Sequence, residues 1–193
     1  MEAITDGSPR RTARSAGVFY ALNIVTGSLA LFFAGRGLGR LAAASNLAAT
    51  VFYVAVVLLF FGLFKPVNRN LSLIAACFGL VGCALGALGV FDISLAGISP
   101  LVFFGAYCLL IGVLILRSTF LPRVLGVLMV FGGLGWLTFM WPPFSASLKP
   151  FNLLPGILGE TALTVWLLAK GVDVERWRAQ ARAQRQAVAH GRP

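Results

Sequence analysis

Six stretches of about twenty residues, roughly 17–35, 44–64, 71–91, 99–117, 121–141 and 151–171, run almost without charge through this chain of 193 residues. A helix of that length rises ~30 Å, the thickness of a bilayer's hydrocarbon layer. The composition agrees, with 59% hydrophobic and 11% charged residues, a balance that soluble domains do not carry. The expected fold is an all-α integral membrane protein, a six-transmembrane-helix bundle. The links hold helix-interrupting residues: Arg36, Gly37 and Gly39; Lys65, Pro66 and Asn68; Asp92; "RSTFLPR" around Pro122; and "WPPFSASLKP" before the last stretch. Such residues suit membrane edges, where free backbone groups meet water. Short links predict antiparallel neighbours. Residues 1–16 read as a basic N-terminus, 17–171 as the transmembrane domain and 172–193 as a basic tail.

Charge orients the bundle. Arg10, Arg11, Arg14, Lys65, Arg69, Arg117, Arg123, Lys170, Arg176, Arg178, Arg182, Arg185 and Arg192 fall on one side, and Arg36, Arg40 and Lys149 on the other. The positive-inside rule then predicts both termini in the cytoplasm, N-in/C-in, of a bacterial plasma (inner) membrane. The net charge of +10 is read as topology and attraction to anionic lipid heads. It flanks helices instead of forming a groove with stacking aromatics, so the bilayer and not nucleic acid is the expected partner. In the tail "VERWRAQARAQRQAVAH", Arg178, Arg182 and Arg185 share a helical face, and Trp177 falls at the membrane–water boundary. That predicts a basic interfacial helix touching lipid heads, with a protein-binding tail as the alternative. Arg10 and Arg11 faintly resemble a twin-arginine signal. The first stretch is of full spanning length without a small-residue cleavage site, so an uncleaved helix is expected.

Absent residues remove reaction classes. The single histidine, His190, lies in the tail, so no intramembrane imidazole pair can ligate haem, and the stretches lack the His and Asp of a catalytic triad. No His/Glu cluster offers a metal site. No cofactor and no metal is expected. "FGLVGCALGALG" lacks the lysine and strand of a phosphate loop. Ala75, Gly79, Cys83 and Ala87 form a stripe at helical spacing beside Gly82 and Gly86, which predicts close helix packing. Cys77, Cys83 and Cys108 read as small packing residues.

One acid interrupts the last apolar run, "PGILGETALTVWLL" at 155–168. Glu160 lies ten residues before Lys170, ~15 Å from the basic edge and near the midplane. A central acidic charge costs roughly 2.5–3.5 kcal/mol on insertion scales, so Glu160 is expected to face the bundle interior as the neutral acid. Gly156, Glu160 and Thr164 share a face, where Gly156 would admit a neighbouring helix and Thr164 a hydrogen bond. Counting the same depth into the other stretches reaches Asn23, Gly79, Tyr107 and Gly133, with Tyr53 slightly further in. The candidate midplane polar site is therefore Glu160, Thr164, Tyr107, Asn23 and Tyr53. A structural tie, a ligand or substrate pocket and a proton-coupled step all remain open.

"ARSAGVFYALNIVTG" at 13–27, "FKPVNRNLSLIAACFGLVG" at 64–82, "LRSTFLPRVLGVLMVFGGLGWL" at 116–137 and "LPGILGETALTVWLLAKGVDVERWR" at 154–178 resemble bacterial six-helix membrane proteins of domain-of-unknown-function family 4386. The resemblance implies a six-helix fold and no particular activity. The family pattern has Phe-Arg-Leu-Val-Glu where this chain has Phe78, Gly79, Leu80, Val81 and Gly82, and histidine in place of Tyr107. It thus implies a polar midplane cluster of which Glu160 remains here, with Tyr107 as a hydroxyl. The expected function is non-enzymatic binding of a lipid, a small apolar molecule or a membrane-complex partner within the bundle. A small proton-linked transporter using Glu160 is the alternative, although no inverted repeat or broken helix is evident. An intramembrane enzyme comes third. A membrane-protein partner or a homo-oligomer fits any of these.

Overall fold

The apolar stretches are helices in the computed structural model, which describes residues 8–91, 93 and 99–189. In chain order these are α1 (Pro9–Gly35), α2 (Gly39–Phe64), α3 (Arg69–Val90), α4 (Pro100–Arg117), α5 (Arg123–Leu137), α6 (Pro142–Leu148), α7 (Leu154–Ala169) and α8 (Val174–Ala189). A 3-10 turn, Thr138–Met140, extends α5. There is no strand among the described residues. Five helices are long and apolar enough to cross a membrane: α1 to α4, and α5 with its 3-10 turn. α7 is apolar but has 16 residues, ~24 Å of rise, where the sequence predicts a span over 151–171. Pro155 sits in its first turn, the position where a missing N–H costs least, and the chain before Leu154 turns instead of continuing the helix.

Two other boundaries differ from the hydropathy pattern. α1 begins at Pro9, well before the apolar stretch, and Ala13 and Ala16 are fully buried while Arg10, Arg11 and Arg14 reach outward or to the rim. The "WPPFSASLKP" link holds the short helix α6. Asn152 pins it back, donating from Nδ2 to Thr138 Oγ1 at 3.0 Å and to the Ser145 carbonyl at 3.4 Å. Around it Trp141 and Phe151 stay largely exposed, the placement of interfacial aromatics.

Each long helix packs chiefly on its neighbours in sequence, and α7 closes on α1, so the bundle is a ring α1–α2–α3–α4–α5–α7. Glycine sets the tightest joints. A Cβ on Gly112 would stand 2.8 Å from the Gly126 carbonyl oxygen, and one on Gly126 2.9 Å from that of Gly112. Gly105 and Gly133 repeat the arrangement two turns away, at 3.0 and 2.7 Å. These reciprocal pairs join α4 to α5 backbone to backbone, the packing that small residues permit in lipid. Gly17 performs the ring closure, with Leu167 and Leu168 of α7 against it.

Packing is uneven along α1 to α3. Beyond Tyr20 nothing on α1 is buried, and before Ala49 nothing on α2. Gly27, Gly86 and Gly89 face open space. The core therefore lies toward the end that carries Lys65, Arg117 and Arg123, where an aromatic column runs through edge-on contacts from Tyr53 to Tyr20, Phe60 and Phe64. α8 docks across that end. Trp177 Nε1 donates to the Leu63 carbonyl at 2.9 Å, and Gln180 bonds the Arg117 carbonyl and Thr119.

Candidate functional site

Glu160 lies on the interior side of α7, where side chains of its ring neighbour α5 and of the next helix, α4, reach it. Trp136 Nε1 of α5 donates to its Oε1 at 3.0 Å, and Cys108 Sγ of α4 approaches the same oxygen at 3.6 Å. The indole reaches it because of a residue one turn earlier. Gly156 has no Cβ, and the Trp136 ring occupies the space that one would take. Backbone approach between Gly132 and Gly156 brings α5 and α7 close enough for this. The expectation that Gly156 admits a neighbouring helix is thus realised as an indole and a backbone together.

Three phenols complete the surroundings. Tyr20, Tyr53 and Tyr107 are fully or nearly fully buried, and with Cys108 they lie within Coulombic reach of the Glu160 carboxyl. Tyr53 stacks edge-on with Tyr20 and with Tyr107, ring centroids 5.6 and 5.8 Å apart. None of the three hydroxyls makes a hydrogen bond among the described residues, although Tyr20 approaches both Glu160 and Tyr53. Buried hydroxyls without partners are costly and uncommon, and each calls for an explanation. Glu160 itself is half-buried, so the cluster is not sealed.

The five residues chosen from sequence have different fates. Tyr53 and Tyr107 gather with Glu160. Thr164 is buried but donates to the backbone carbonyl of Glu160 at 2.7 Å, a bond within its own helix that leaves the carboxyl untouched. Asn23 is half-buried on α1, and its side chain makes no hydrogen bond among the described residues. Tyr20, one turn nearer the basic end, occupies the place that depth counting assigned to Asn23. Sequence reasoning missed Tyr20, Cys108 and Trp136. The signal for Trp136 was Gly156: a glycine one turn from a buried acid leaves room for a large donor.

Gly79 and Gly82 lie with Ala75 and Cys83 on the buried face of α3, the close packing expected of them. A Cβ on Gly79 would meet Val57 and the Tyr107 ring at 2.7 and 3.1 Å, and one on Gly82 would meet Phe104 at 2.8 Å. These glycines make room for aromatic rings, whereas Gly86 faces open space. Where the family resemblance implies arginine and glutamate, this chain fills the volume with Tyr107 and Phe104. In the tail, Arg178, Arg182 and Arg185 are exposed on one helical face, while Trp177 is half-buried and donates to the Leu63 carbonyl at the end of α2. His190 and Arg192 lie outside the described residues. Among those described, no group of three or more His, Cys, Asp or Glu could hold a metal ion.

Residues 95–171, the segment from α4 to α7, match the family described as "Domain of unknown function (DUF4386)", the family that the four motifs point to. An uncharacterised protein of Archaeoglobus fulgidus is 29% identical over 124 residues, covering 61% of this chain and 75% of that protein. The similarity therefore reaches an archaeon, beyond the bacterial proteins that the motifs resemble. No solved structure matches the chain.

Proposed function

We propose that the protein binds a small amphipathic molecule or lipid inside its helical ring, without catalysis, with the polar head of that molecule at Glu160. The observation that carries this reading is the trio of buried phenol hydroxyls, none hydrogen-bonded among the described residues, around one half-buried carboxyl. Three donors beside an acceptor form a hydrogen-bonding seat for a polar head, and ligand sites of this kind are apolar with a few convergent polar groups. The open faces of Gly27, Gly86 and Gly89 favour entry from the end opposite α8. A bacterial plasma membrane with both termini cytoplasmic completes the proposal, supported by the basic residues at the α8 end.

The test is to extract the protein in mild detergent and identify co-purifying small molecules by mass spectrometry. A folded variant with Tyr20, Tyr53 and Tyr107 all changed to Phe should lose the molecule that wild type retains. Equal retention by both, or an empty wild type, would overturn the proposal. A second reading, proton-linked transport, is favoured by Glu160 being the single acid within the apolar stretches and by its partial accessibility. It predicts that Glu160→Gln abolishes pH-dependent flux in proteoliposomes while leaving the fold intact.

A further inference from the structure

We propose that the cleft between α8 and the ends of α1 and α2 is a specific seat for the phosphate of an anionic phospholipid. The cleft has a volume of about 380 Å³ and gathers Lys65 from the end of α2, Arg178 and Arg185 from α8, and Ser8 at the start of α1. Trp177 and Ala181 also line it. Among the described residues, no carboxylate pairs with Lys65, Arg178 or Arg185. Ser8 stands at the N-cap of α1 without forming a side-chain cap, so its hydroxyl and the positive end of a 27-residue helix face the same region. Three cations, a free hydroxyl and a helix N-terminus in one concavity make an anion site that no single one of them would make.

Position chooses the anion's source. Pro9, Lys65 and Pro66 stand at the ends of membrane-spanning helices, the level of lipid headgroups. A neighbouring cleft of about 430 Å³, lined by Arg10 and Lys170, also holds Asp173 and Glu175 and so lacks this one-signed field. Docking by Trp177 and Gln180 fixes α8, which turns two tail arginines into part of a built site, separate from a diffuse basic surface. Arg182 is exposed and does not line the cleft. It is therefore an internal control of equal charge.

The experiment titrates full-length protein in neutral detergent with phosphatidylglycerol, phosphatidylcholine or sodium phosphate, reading melting temperature and lipid stoichiometry by native mass spectrometry. Phosphatidylglycerol should stabilise wild type saturably, with one tightly held lipid. Lys65→Gln, Arg178→Gln and Arg185→Gln should each raise the concentration for half effect roughly fivefold, as expected for one charge near a headgroup, whereas Arg182→Gln should leave it unchanged. An equal effect of Arg182→Gln would overturn the site in favour of diffuse charge. Equal stabilisation by phosphatidylcholine would overturn the role of anionic charge. Sodium phosphate reproducing the effect would overturn the lipid assignment. Stoichiometry separates weakened binding from any loss of fold in the variants.

Discussion

At position 156 a missing methyl group decides where an indole lies, and the indole decides what Glu160 touches. Gly156→Ala would drive a Cβ into the Trp136 ring, so the ring must turn and its bond to Glu160 is lost. The expected cost is about 1–3 kcal/mol, seen as a lower melting temperature in detergent together with a shift in tryptophan emission. Gly86→Ala should behave oppositely, because nothing stands within 4 Å of the added methyl, and removing a mid-helix glycine stabilises by about 0.5–1 kcal/mol. The carboxyl makes a matching pair of tests. Glu160→Gln keeps an acceptor for Trp136 and should melt close to wild type. Glu160→Leu strands the indole N–H, at a cost of roughly 1–3 kcal/mol or nearer 0.6 kcal/mol if the pair behaves like the average intramembrane bond. A Leu variant as stable as wild type would remove Glu160 from any structural role. The acid and its place mid-way along an apolar helix were legible in sequence. Its partners were not, since an indole on α5 and a thiol on α4 carry no mark of which way they face.

The joints between helices differ in how much they can yield. On α4, Gly112→Ala presses a methyl against the Gly126 carbonyl and the backbone N of Val130, neither of which can rotate away as a ring can. This change should cost more than Gly156→Ala, about 3 kcal/mol or more, and comparing the two melting temperatures tests the ordering. α8 is a different kind of element. Its hold on the bundle rests on a few polar contacts, of which the Trp177 bond to the Leu63 carbonyl is the most buried. Trp177→Phe should therefore accelerate amide exchange and proteolysis across 174–186 while the bundle melts as before. Uniform loss of protection through α1 and α2 would show instead that α8 holds the ring together. The sequence marked the tail as a basic amphipathic helix, but both a bilayer and a bundle end offer partners to such a helix. Only packing shows Trp177 turned to the latter.

Ring closure makes α1 and α7 neighbours, so the start of α1 and the end of α7 come together at the end that holds Lys65, Arg117 and Arg123. The charge asymmetry then yields a test of the whole molecule. A reporter active only outside the cytoplasm should be silent when fused after Pro193 and active when inserted in the exposed 36–38 turn. The reverse pattern would end the N-in/C-in proposal. The ring also explains why its interior is densely aromatic toward α8 and open along α1 to α3 at the other end: where α1 and α2 lack a third neighbour, their apolar faces are left to lipid or to a ligand.

Medium and helical class follow from the sequence, because hydropathy and charge add up locally along a helix and need no knowledge of neighbours. The place of Glu160 mid-way along its helix follows as well, since rise per residue is constant. Rotation about each helix axis does not. These helices are apolar nearly all round, so no polar face tells which side turns inward, and rows of alternative partners share each depth. Tertiary packing made that choice, through the glycines that let Trp136, Tyr107 and Phe104 enter and those that weld α4 to α5. It brought Tyr20 to the carboxyl where Asn23 had equal claim by depth, turned Thr164 onto its own backbone, and folded the proline-rich link into α6.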